Sequence, residues 1–392
     1  MKKRVCVVTG TRAEYGLLKG VLHLLHESNV LSPQLVATGM HLSPEFGSTI
    51  QEIQSDGFPI DRKVEMLLSS DSSVGISKSM GLGLIGFADA FAELQPDLVL
   101  VLGDRFEILS AASAALVARI PMAHIHGGET TEGAVDESLR HAITKMSHLH
   151  FVAAEEYRRR VIQLGEKPET VFLVGGLGVD AIYNVDLMNR KSLEKSLGFH
   201  FLEKNLLIAF HPVTLEEGSS EIQISELLDA LSELKDTRLI FTMPNSDMDG
   251  RVIFSKINRF VEKNSNALAF TSMGQQRFLS CMAQVDAIVG NSSSGLLEAP
   301  SFKIATINIG DRQKGRIRAE SVIDCEPQKN PIGLALSKVY SLEMKSKLEM
   351  SRNPYGEEGA SKKIVSILEK TDFKKVIKKK FFDLPLNTNI EL

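Results

Sequence analysis

The sequence predicts an α/β protein built from two doubly wound domains that face each other across a cleft. Short apolar segments of high β-propensity alternate with longer helical patterns along most of the 392 residues. Continuous apolar segments of this kind are typical of parallel strands that helices cover on both faces. The alternation stops once near the middle of the chain and then begins again, which indicates two such units in series.

Six strand candidates precede the interruption. Each is short and apolar and is followed by Gly, Thr, Asp or Glu. The candidates are RVCVVTG, QLVATGM, DLVLVLG, PMAHIHGG, LHFVAA and VFLVGG. Helical patterns separate them, and the first, YGLLKGVLHLLHES, has an apolar stripe at helical spacing. The stripe consists of Leu17, Leu18, Val21, Leu22, Leu24 and Leu25.

A polar run over residues 184–205 is typical of a linker, and five further strand candidates follow it. They are NLLIAFHP, RLIFTMP, ALAFTS, DAIVGN and KIATINIG. We therefore predict a first domain over 1–183 and a second over 184–355. A C-terminal helix and a basic tail would occupy 356–392, with a return of this tail to the first domain as one arrangement.

Composition argues against several classes of partner and site. The formal net charge of −4 argues against nucleic acid as the main partner. The three cysteines, Cys6, Cys281 and Cys325, are far apart, so they give neither a disulfide framework nor a zinc spacing and suit a reducing compartment. No segment approaches the roughly 20 apolar residues that span a bilayer. We expect a cytoplasmic protein without a membrane partner.

The loop after the first strand candidate, TGTRAEYG, suits a phosphate group. Ligands of open parallel sheets bind outside the carboxyl ends of the strands. Gly10 permits a tight turn there, Arg12 supplies a cation, and the following helix presents free N–H groups. A glycine turn with a solvated Arg12 explains the loop equally well, so this loop alone does not establish a phosphate site.

Charged residues follow the most apolar strand candidate. In VLVLGDRFE, Gly103 turns the chain and Asp104 and Arg105 come directly after it. Asp and Arg are rarely fully buried unless they are paired. One interpretation is a pair in the cleft, with Arg105 on a phosphate and Asp104 carrying a proton or anchoring the ligand. The alternative is a helix cap formed by Asp104, with Arg105 on the surface.

The segment AHIHGGETTEGAVDESLRH gathers histidines and carboxylates at a third strand end. Such a group suits proton transfer, for which His and carboxylates with shifted pKa values are useful. A metal site is the alternative. However, His124 and His126 alternate on one face of a strand, and no third ligand follows at a diagnostic spacing, so we predict no metal. Asp136 is also placed to cap the next helix.

The segment IVGNSSSGLLEAP is the strongest local signal in the second half. A strand meets a polar turn there and a helix begins. The backbone N–H groups and hydroxyls of Ser292 and Ser293 would cradle a phosphate, and Glu298, one turn later, can bind ribose hydroxyls. The alternative is a simple helix cap, but a cap needs only one serine and this turn has three consecutive serines.

Two further strand ends and a basic loop complete the pattern. His211 ends one strand in FHPVT, and Asn245 follows another in TMPNSD. The segment INIGDRQKGRIR adds cations, including Arg312. Together these features predict a phosphate-bearing, nucleotide-like ligand between the two domains.

In this order, the motifs resemble those of the hydrolysing UDP-N-acetylglucosamine 2-epimerases of bacterial sialic and legionaminic acid biosynthesis. The resemblance spans nearly the whole chain, and GNSSSGLLE and INIGDRQKGR are its most specific parts. The other motifs are GTRAEYG, ATGMHLSPEFG, LGDRFE, HIHGGE, DESLRHAITKMSHLH and FHPVT. The resemblance implies a GT-B-like fold of two Rossmann-like domains and release of N-acetylmannosamine and UDP from UDP-N-acetylglucosamine, without a cofactor.

The resemblance also implies a mechanism and residue roles. The C2 proton is removed and UDP is expelled to leave a 2-acetamidoglucal, to which water adds to give the inverted sugar. The implied catalytic residues are Asp104, His126, Glu129, Asp136 and His211. The implied UDP-binding residues are Arg12, Gly16, Arg105, His211, Asn245, Ser292, Ser293, Glu298 and Arg312. The family further suggests a homodimer or homotetramer.

Two questions stay open at this level. His126 stands where many members carry Glu, so either His126 or Glu129 could take the acid/base role; a subgroup that makes bacterial nonulosonic acids also has HIHGGE. The alternative substrate is a UDP- or GDP-linked 2,4-diacetamido-2,4,6-trideoxyglucose, used for legionaminic acid. A non-hydrolysing 2-epimerase and a GT-B glycosyltransferase rank below both.

Overall fold

The computed structural model contains two parallel sheets, one in each half of the chain. It describes residues 2–70, 72–131, 134–183, 185–213, 219–244 and 250–384. Apolar cores lie on both faces of each sheet, between the strands and the covering helices. The predicted α/β class with two doubly wound domains is therefore confirmed.

The first sheet has seven strands in the order β3-β2-β1-β4-β5-β6-β7. The order reverses between β1 and β4, which is the switch point where open parallel sheets bind ligands. The strands are β1 (Lys3–Thr9), β2 (Leu31–Thr38), β3 (Arg62–Val64), β4 (Leu98–Leu102), β5 (Met122–Ile125), β6 (Leu149–Val152) and β7 (Val171–Leu173). The sequence analysis missed only β3, because this short edge strand buries a single residue.

Seven helices of the described chain lie between these strands or directly after β7. They are α1 (Arg12–Glu27), α2 (Ile50–Ser55), α3 (Ser73–Leu94), α4 (Phe106–Val117), α5 (Asp136–Met146), α6 (Glu155–Gln163) and α7 (Leu177–Tyr183). The apolar stripe of α1 packs on one face of the sheet, and α3 and α4 cover the other. Single turns of 3₁₀ helix lie at Gly39–Leu42, Pro44–Phe46 and Pro168–Thr170.

The second sheet has six strands in the order β10-β9-β8-β11-β12-β13. The strands are β8 (Lys204–Ala209), β9 (Thr237–Thr242), β10 (Ala267–Phe270), β11 (Ala287–Gly290), β12 (Ala305–Ile309) and β13 (Val322–Cys325). The helices that follow α7 in the described chain are α8 (Arg190–Leu197), α9 (Ser219–Ser232), α10 (Gly250–Lys263), α11 (Gly274–Met282), α12 (Ser294–Leu297), α13 (Lys329–Val339), α14 (Leu342–Met350), α15 (Ala360–Lys370) and α16 (Phe373–Val376). One turn of 3₁₀ helix covers Ala299–Phe302.

The polar run predicted as a linker is wrong in part, because it contains α8. Asn189 caps this helix by accepting a hydrogen bond from the Ser192 N–H at 3.0 Å. Only Leu193 and Leu197 are buried, so the helix presents a narrow apolar stripe within a polar sequence. The edge strand β13 was also missed, since none of its residues is fully buried.

The chain returns to the first domain after α14. Ile364, Val365 and Leu368 of α15 belong to the same core as Leu18 and Leu22 of α1. The domain boundaries at 183/184 and 355/356 stay predictions. No helix in the described part of the chain is long and apolar enough to cross a membrane.

The two domains touch beside the carboxyl ends of β1 and β10. Arg12, at the start of α1, donates a hydrogen bond to the Thr271 carbonyl of the second domain. Gln275 of α11 donates in the other direction, to the Gly16 carbonyl. These contacts bring the first turns of α1 and α11 together, so both domains contribute to one site.

Candidate functional site

A cavity of about 220 Å³ lies between the domains, at the carboxyl ends of β8 and β11. Its lining includes seven of the residues predicted to bind UDP: Arg12, Gly16, His211, Ser292, Ser293, Glu298 and Arg312. Arg105 is not among its lining residues, and Asn245 lies outside the described residues. The volume of about 220 Å³ is below the roughly 300–1,000 Å³ of typical ligand pockets.

A larger cavity of about 900 Å³ lies beside α1, α2 and α11. Its charged lining is mixed in sign, and Lys19 is paired there with Asp56 at 2.7 Å. Gly16 is the only predicted site residue among its described lining residues. The smaller cavity therefore matches the predicted nucleotide site better.

The cationic end of the nucleotide cavity is built on Asn291. The Asn291 side chain accepts from the His211 N–H at 2.7 Å and donates to the His211 carbonyl at 2.8 Å, which links the ends of β8 and β11. Arg312 donates to the Asn291 carbonyl at 3.1 Å. The Arg312 Nε is buried and has no hydrogen-bond partner among the described residues. A buried donor without a partner suits an anionic ligand.

Glu298 is the acidic residue among the described lining residues of the cavity. Burial raises the pKa of Glu298 to about 7, although a hydrogen bond with Ser294 opposes the shift. Its Oε2 atom is buried without a partner among the described residues. The Gly178 backbone of α7 approaches so closely that a Cβ atom there would overlap the Glu298 Oε1. Glu298 is therefore held in one position, with an oxygen available for a hydroxyl group.

We expect Gly178→Ala to weaken UDP binding about tenfold, the loss of one hydrogen bond to a charged group. The new methyl group would displace the buried Glu298 carboxylate, which has little free space around it. Calorimetric titration with UDP checks this. Gly333→Ala in α13 is the matched control, because nothing lies within 4 Å of the added methyl group. Unchanged UDP affinity in Gly178→Ala would show that Glu298 is not a ribose ligand.

A buried arginine organises the acids at the end of β4. Arg140 of α5 is 1% exposed and forms an ion pair with Asp104. The Nη2 atom that faces Asp104 also donates to the Thr131 hydroxyl at 2.8 Å, and the Nη1 atom lies 2.8 Å from the Glu137 Oε2. Burial by itself would raise the pKa of Asp104, but the charges of Arg140 and Arg316 outweigh it and lower this pKa. Asp104 is therefore ionised and oriented.

The helix-cap alternative for Asp104 is wrong. The helix α4 begins at Phe106, and the residue that precedes it is Arg105, without a side-chain cap. Arg105 instead donates to both carboxylate oxygens of Glu107, each at 3.2 Å. Glu14 lies in the same buried group and accepts from the Gly10 N–H at 2.7 Å. A contact between Arg105 and a diphosphate stays a prediction.

A second ion pair joins the domains at Glu129. Arg316, from the loop after β12, lies 3.0 Å from the Glu129 Oε2 and donates to the Thr130 carbonyl at 3.2 Å. Both side chains are buried. The Tyr157 and Tyr355 hydroxyls hold the same loop: Tyr157 accepts from the Ile317 N–H at 3.3 Å, and Tyr355 donates to its carbonyl at 2.9 Å. The loop thus links Arg312 in the cavity with the acid group of the first domain.

His126 is held by contacts on both ring nitrogens. Its Nε2 accepts from the Leu177 N–H at 3.2 Å, and its Nδ1 lies 3.3 Å from the Glu129 Oε1. Burial lowers the pKa of His126, against the opposing charge of Glu129, so the ring is neutral. This arrangement favours a positioning role for His126. Its part in proton transfer stays a prediction.

The expected alternation of His124 and His126 along one strand is wrong. Strand β5 ends at Ile125, and His126 has a left-handed backbone with φ of 65°. The His124 Nε2 donates to the Gly103 carbonyl at 2.7 Å, and its Nδ1 accepts from the Thr144 hydroxyl at 3.1 Å. It therefore supports the turn before Asp104. In the described part of the chain, no group of three or more His, Cys, Asp or Glu side chains is arranged to hold a metal ion.

Helix α5 also differs from the expectation. Asp136 is its first residue, and the preceding Val135 lies at the cap position, so Asp136 does not cap this helix. Glu137 is the side chain that joins Arg140, and it also lies 3.0 Å from His141. Burial would raise the pKa of Glu137, but bonds with His141 and the Thr131 N–H lower it to about 2.

Three residues of this group were not assigned roles from the sequence: Glu137, Arg140 and Arg316. The pairing of Glu137 with Arg140 could have been predicted from their spacing, because residues three apart on a helix are neighbours. Arg316 is one of the cations of the basic segment INIGDRQKGRIR, but no local signal identifies its partner Glu129, which belongs to the other domain.

Comparisons with known proteins identify the family of the chain. The family model for UDP-N-acetylglucosamine 2-epimerase matches residues 23–369. A Campylobacter jejuni GDP/UDP-N,N'-diacetylbacillosamine 2-epimerase (hydrolyzing) is 43% identical over 98% of this chain and 100% of its own. The polysialic acid biosynthesis protein P7 of Escherichia coli is 42% identical over 98% of both chains. A Legionella pneumophila UDP-N,N'-diacetylbacillosamine 2-epimerase (hydrolyzing) is 37% identical over 94% of this chain and 96% of its own.

A solved structure shares the fold at low sequence identity. The Neisseria meningitidis UDP-GlcNAc 2-epimerase bound to UDP-GlcNAc superimposes with a TM-score of 0.80 at 19% identity, over 94% of this chain and 100% of its own. The fold is therefore GT-B-like, as the resemblance implied. With the family match over most of its length and these relatives, the chain belongs to the UDP-N-acetylglucosamine 2-epimerase family.

Proposed function

We propose that this protein is a hydrolysing 2-epimerase of a nucleotide-linked 2-acetamido sugar. One observation carries the proposal: Asp104 forms an ion pair with Arg140, and the charges of Arg316 and the cavity residue Arg312 also lower its pKa. An acid/base group and the cations for a departing diphosphate thus lie close enough to interact. This arrangement suits removal of a proton next to a carbon that loses a phosphate leaving group.

In the first step, Asp104 takes the proton from C2 of the sugar. The electron pair of the C2–H bond forms the C1–C2 double bond, and the C1–O bond breaks with both electrons on the leaving diphosphate. Arg312 and the N–H groups around Ser292 receive this charge, a preorganised stabilisation of the kind that lowers such barriers. The product of this step is the 2-acetamidoglucal.

In the second step, water adds across the double bond. The hydroxyl group goes to C1, and a proton reaches C2 from the face opposite to the one that lost it. Glu129, the carboxylate paired with Arg316, is our candidate for the group that passes this proton: it takes the proton that the attacking water loses and delivers a proton to C2. Its Oε1 atom is buried, lacks a hydrogen-bond partner among the described residues and lies beside His126. Asp104 returns the proton of the first step to solvent. The product is the free sugar with inverted C2.

The substrate we favour is UDP- or GDP-linked N,N'-diacetylbacillosamine, the 2,4-diacetamido-2,4,6-trideoxyglucose considered above. Its support is that two relatives at 43% and 37% identity carry this activity in their names. UDP-N-acetylglucosamine, the sugar that the motifs suggested first, is the second candidate. Its support is a further relative, a UDP-N-acetylglucosamine 2-epimerase of Neisseria meningitidis serogroup B that is 31% identical over 87% of this chain and 88% of its own.

Proton NMR of the protein in deuterated water tests the proposal. Each of the three nucleotide sugars is incubated separately, and turnover is followed without added metal or NAD. The expected result is a free sugar that carries deuterium at the inverted C2, together with free nucleoside diphosphate. An inverted sugar that stays attached to its nucleotide would identify a non-hydrolysing epimerase instead. The ratio of the three rates identifies the substrate.

We expect UDP affinity to rise about tenfold between about pH 6 and pH 8, because Glu298 has a pKa of about 7. Ribose hydroxyls donate to a carboxylate better than to a protonated acid. Below pH 7 the protonated Glu298 must lose its proton for these bonds, and above pH 7 it is already ionised. Calorimetric titration across this range checks the prediction. Glu298→Gln is the control that removes this step while it retains the titration of the phosphate. An identical pH dependence in both proteins would contradict it.

A further inference from the structure

The last described segment of the chain lies across the C-terminal end of α5. The Lys379 ammonium group donates to the Lys145 carbonyl at 2.5 Å and to the Ser147 carbonyl at 2.7 Å. These carbonyls belong to the last turn of α5 and its cap. A cation at this end of a helix satisfies free carbonyls and complements the helix dipole. Lys379 therefore acts as a side-chain cap supplied by a segment distant in sequence.

Glu166 contacts both Lys379 and Lys145 at this end of α5. Its Oε1 lies 2.9 Å from the Lys379 Nζ and 2.8 Å from the Lys145 Nζ, and its Oε2 lies 3.1 Å from His150. Glu166 is buried, and burial alone would raise its pKa; the hydrogen bonds from His150 and the two lysines lower this pKa to about 2. Glu166 is therefore an ionised anchor for Lys379 at neutral pH.

The neighbouring residues fix the segment in register. The Phe382 N–H donates to the Gly165 carbonyl at 2.9 Å. The Phe381 ring lies under the Lys145 ammonium group, with 4.6 Å between the nitrogen and the ring centroid. Gly165 has a left-handed backbone, and a Cβ atom there would overlap the Phe381 ring. Residues 381 and 382 thus pack closely against Lys145 and Gly165.

We propose that Lys379 is a positioning residue of the reaction, which acts through α5. The proposal rests on the function proposed above. The same helix holds Arg140 against Asp104, and Arg140 lies about 10 Å along the helix from Ser147 at 1.5 Å per residue. A packed helix moves as a rigid element, so release of its C-terminal end shifts the guanidinium that orients Asp104. The nucleotide cavity is built from other elements and does not depend on this contact.

The test compares Lys379→Met with Lys380→Met, an exposed neighbour that serves as the matched control. We expect Lys379→Met to lower kcat about ten- to a hundredfold, the effect of a small displacement of a catalytic group. The KM and the UDP affinity stay unchanged, and Lys379→Arg restores most of kcat because it retains the charge. Unchanged kcat, or an equal loss of UDP affinity, would overturn the proposal.

Hydrogen exchange of the α5 amides gives a readout that does not depend on turnover. Exchange near residues 143–147 increases in Lys379→Met and stays at the wild-type rate in Lys380→Met if the cap exists. Equal exchange in both variants would overturn the cap, whatever the activity. Absence of turnover in the wild-type protein with all three sugars would instead overturn the proposed function, and the exchange result would still decide whether Lys379 holds the helix.

Discussion

Asp104→Asn is expected to lower turnover by about 10²–10⁴-fold, the usual contribution of a positioned acid or base. The substitution keeps the shape of the side chain and removes its basicity. UDP affinity is expected to stay within about twofold of wild type, a change below 1 kcal/mol, because Asp104 does not line the nucleotide cavity. A loss of kcat without a loss of UDP binding separates a catalytic role from a ligand-binding role.

Turnover is measured by NMR and UDP binding by calorimetry, on the same preparations. Asp89→Asn is a suitable control, because Asp89 is an exposed carboxylate on α3 and lies outside the site. The melting temperature of each variant shows whether the fold is retained. A parallel loss of turnover and UDP affinity in Asp104→Asn would mean that Asp104 holds the ligand or the structure rather than a proton.

Separate measurement of the hydration step makes this test more specific. The 2-acetamidoglucal can be supplied directly, so that only the hydration step is needed. If Asp104 removes the C2 proton and another group delivers the new one, Asp104→Asn hydrates the glucal at a rate near that of wild type. A loss of both half-reactions would mean that Asp104 acts in both steps, and Glu129 would no longer be the candidate acid.

The strand ends that carry chemistry could be predicted because their signals are local. A buried parallel strand is a short apolar run, and the residues after it must lie at one edge of the sheet. Ser292, Glu298 and Arg312 therefore come together in the structure as the sequence suggested. The same reasoning fails for His126, because one left-handed residue after Ile125 breaks the alternation that a strand would impose.

The partners of the acids could not be predicted, because they depend on packing between distant segments. Asp104 was assigned a role from its place after β4, but nothing near it indicates that Arg140 neutralises it. The Arg316–Glu129 pair crosses between domains, and the Lys379 contact brings the tail back over α5. Local periodicity records which face of an element is buried, but it does not record what lies against that face.

Arg140→Met is expected to lower both stability and turnover. It leaves Asp104 and Glu137 without their cation, and removal of one partner from a buried ion pair costs about 3–5 kcal/mol. The lower value, about 3 kcal/mol, applies here because both carboxylates retain 22% exposure. Turnover falls about as far as in Asp104→Asn, since an unoriented Asp104 is a poor base. Denaturant unfolding and NMR turnover measure the two effects.

Arg140→Lys separates orientation from charge. A lysine retains the cation, but its single ammonium group cannot reproduce the fork that reaches Asp104, Glu137 and Thr131 together. We expect this variant to recover most of the lost stability and little of the lost turnover. Full recovery of turnover would mean that Arg140 supplies charge alone, and that the orientation of Asp104 comes from elsewhere.

The double variant Asp104→Asn/Arg140→Met decides whether the arginine acts through the aspartate. If it does, removal of Arg140 from a protein that already lacks the Asp104 carboxylate costs little further turnover, so the two effects on kcat are strongly non-additive. The stability effects should also fall short of their sum, because the Asp104→Asn substitution removes one of the charges that Arg140 neutralises. Additive losses of kcat would show that Arg140 contacts the substrate independently, which would give it a catalytic role of its own in the departure of the diphosphate.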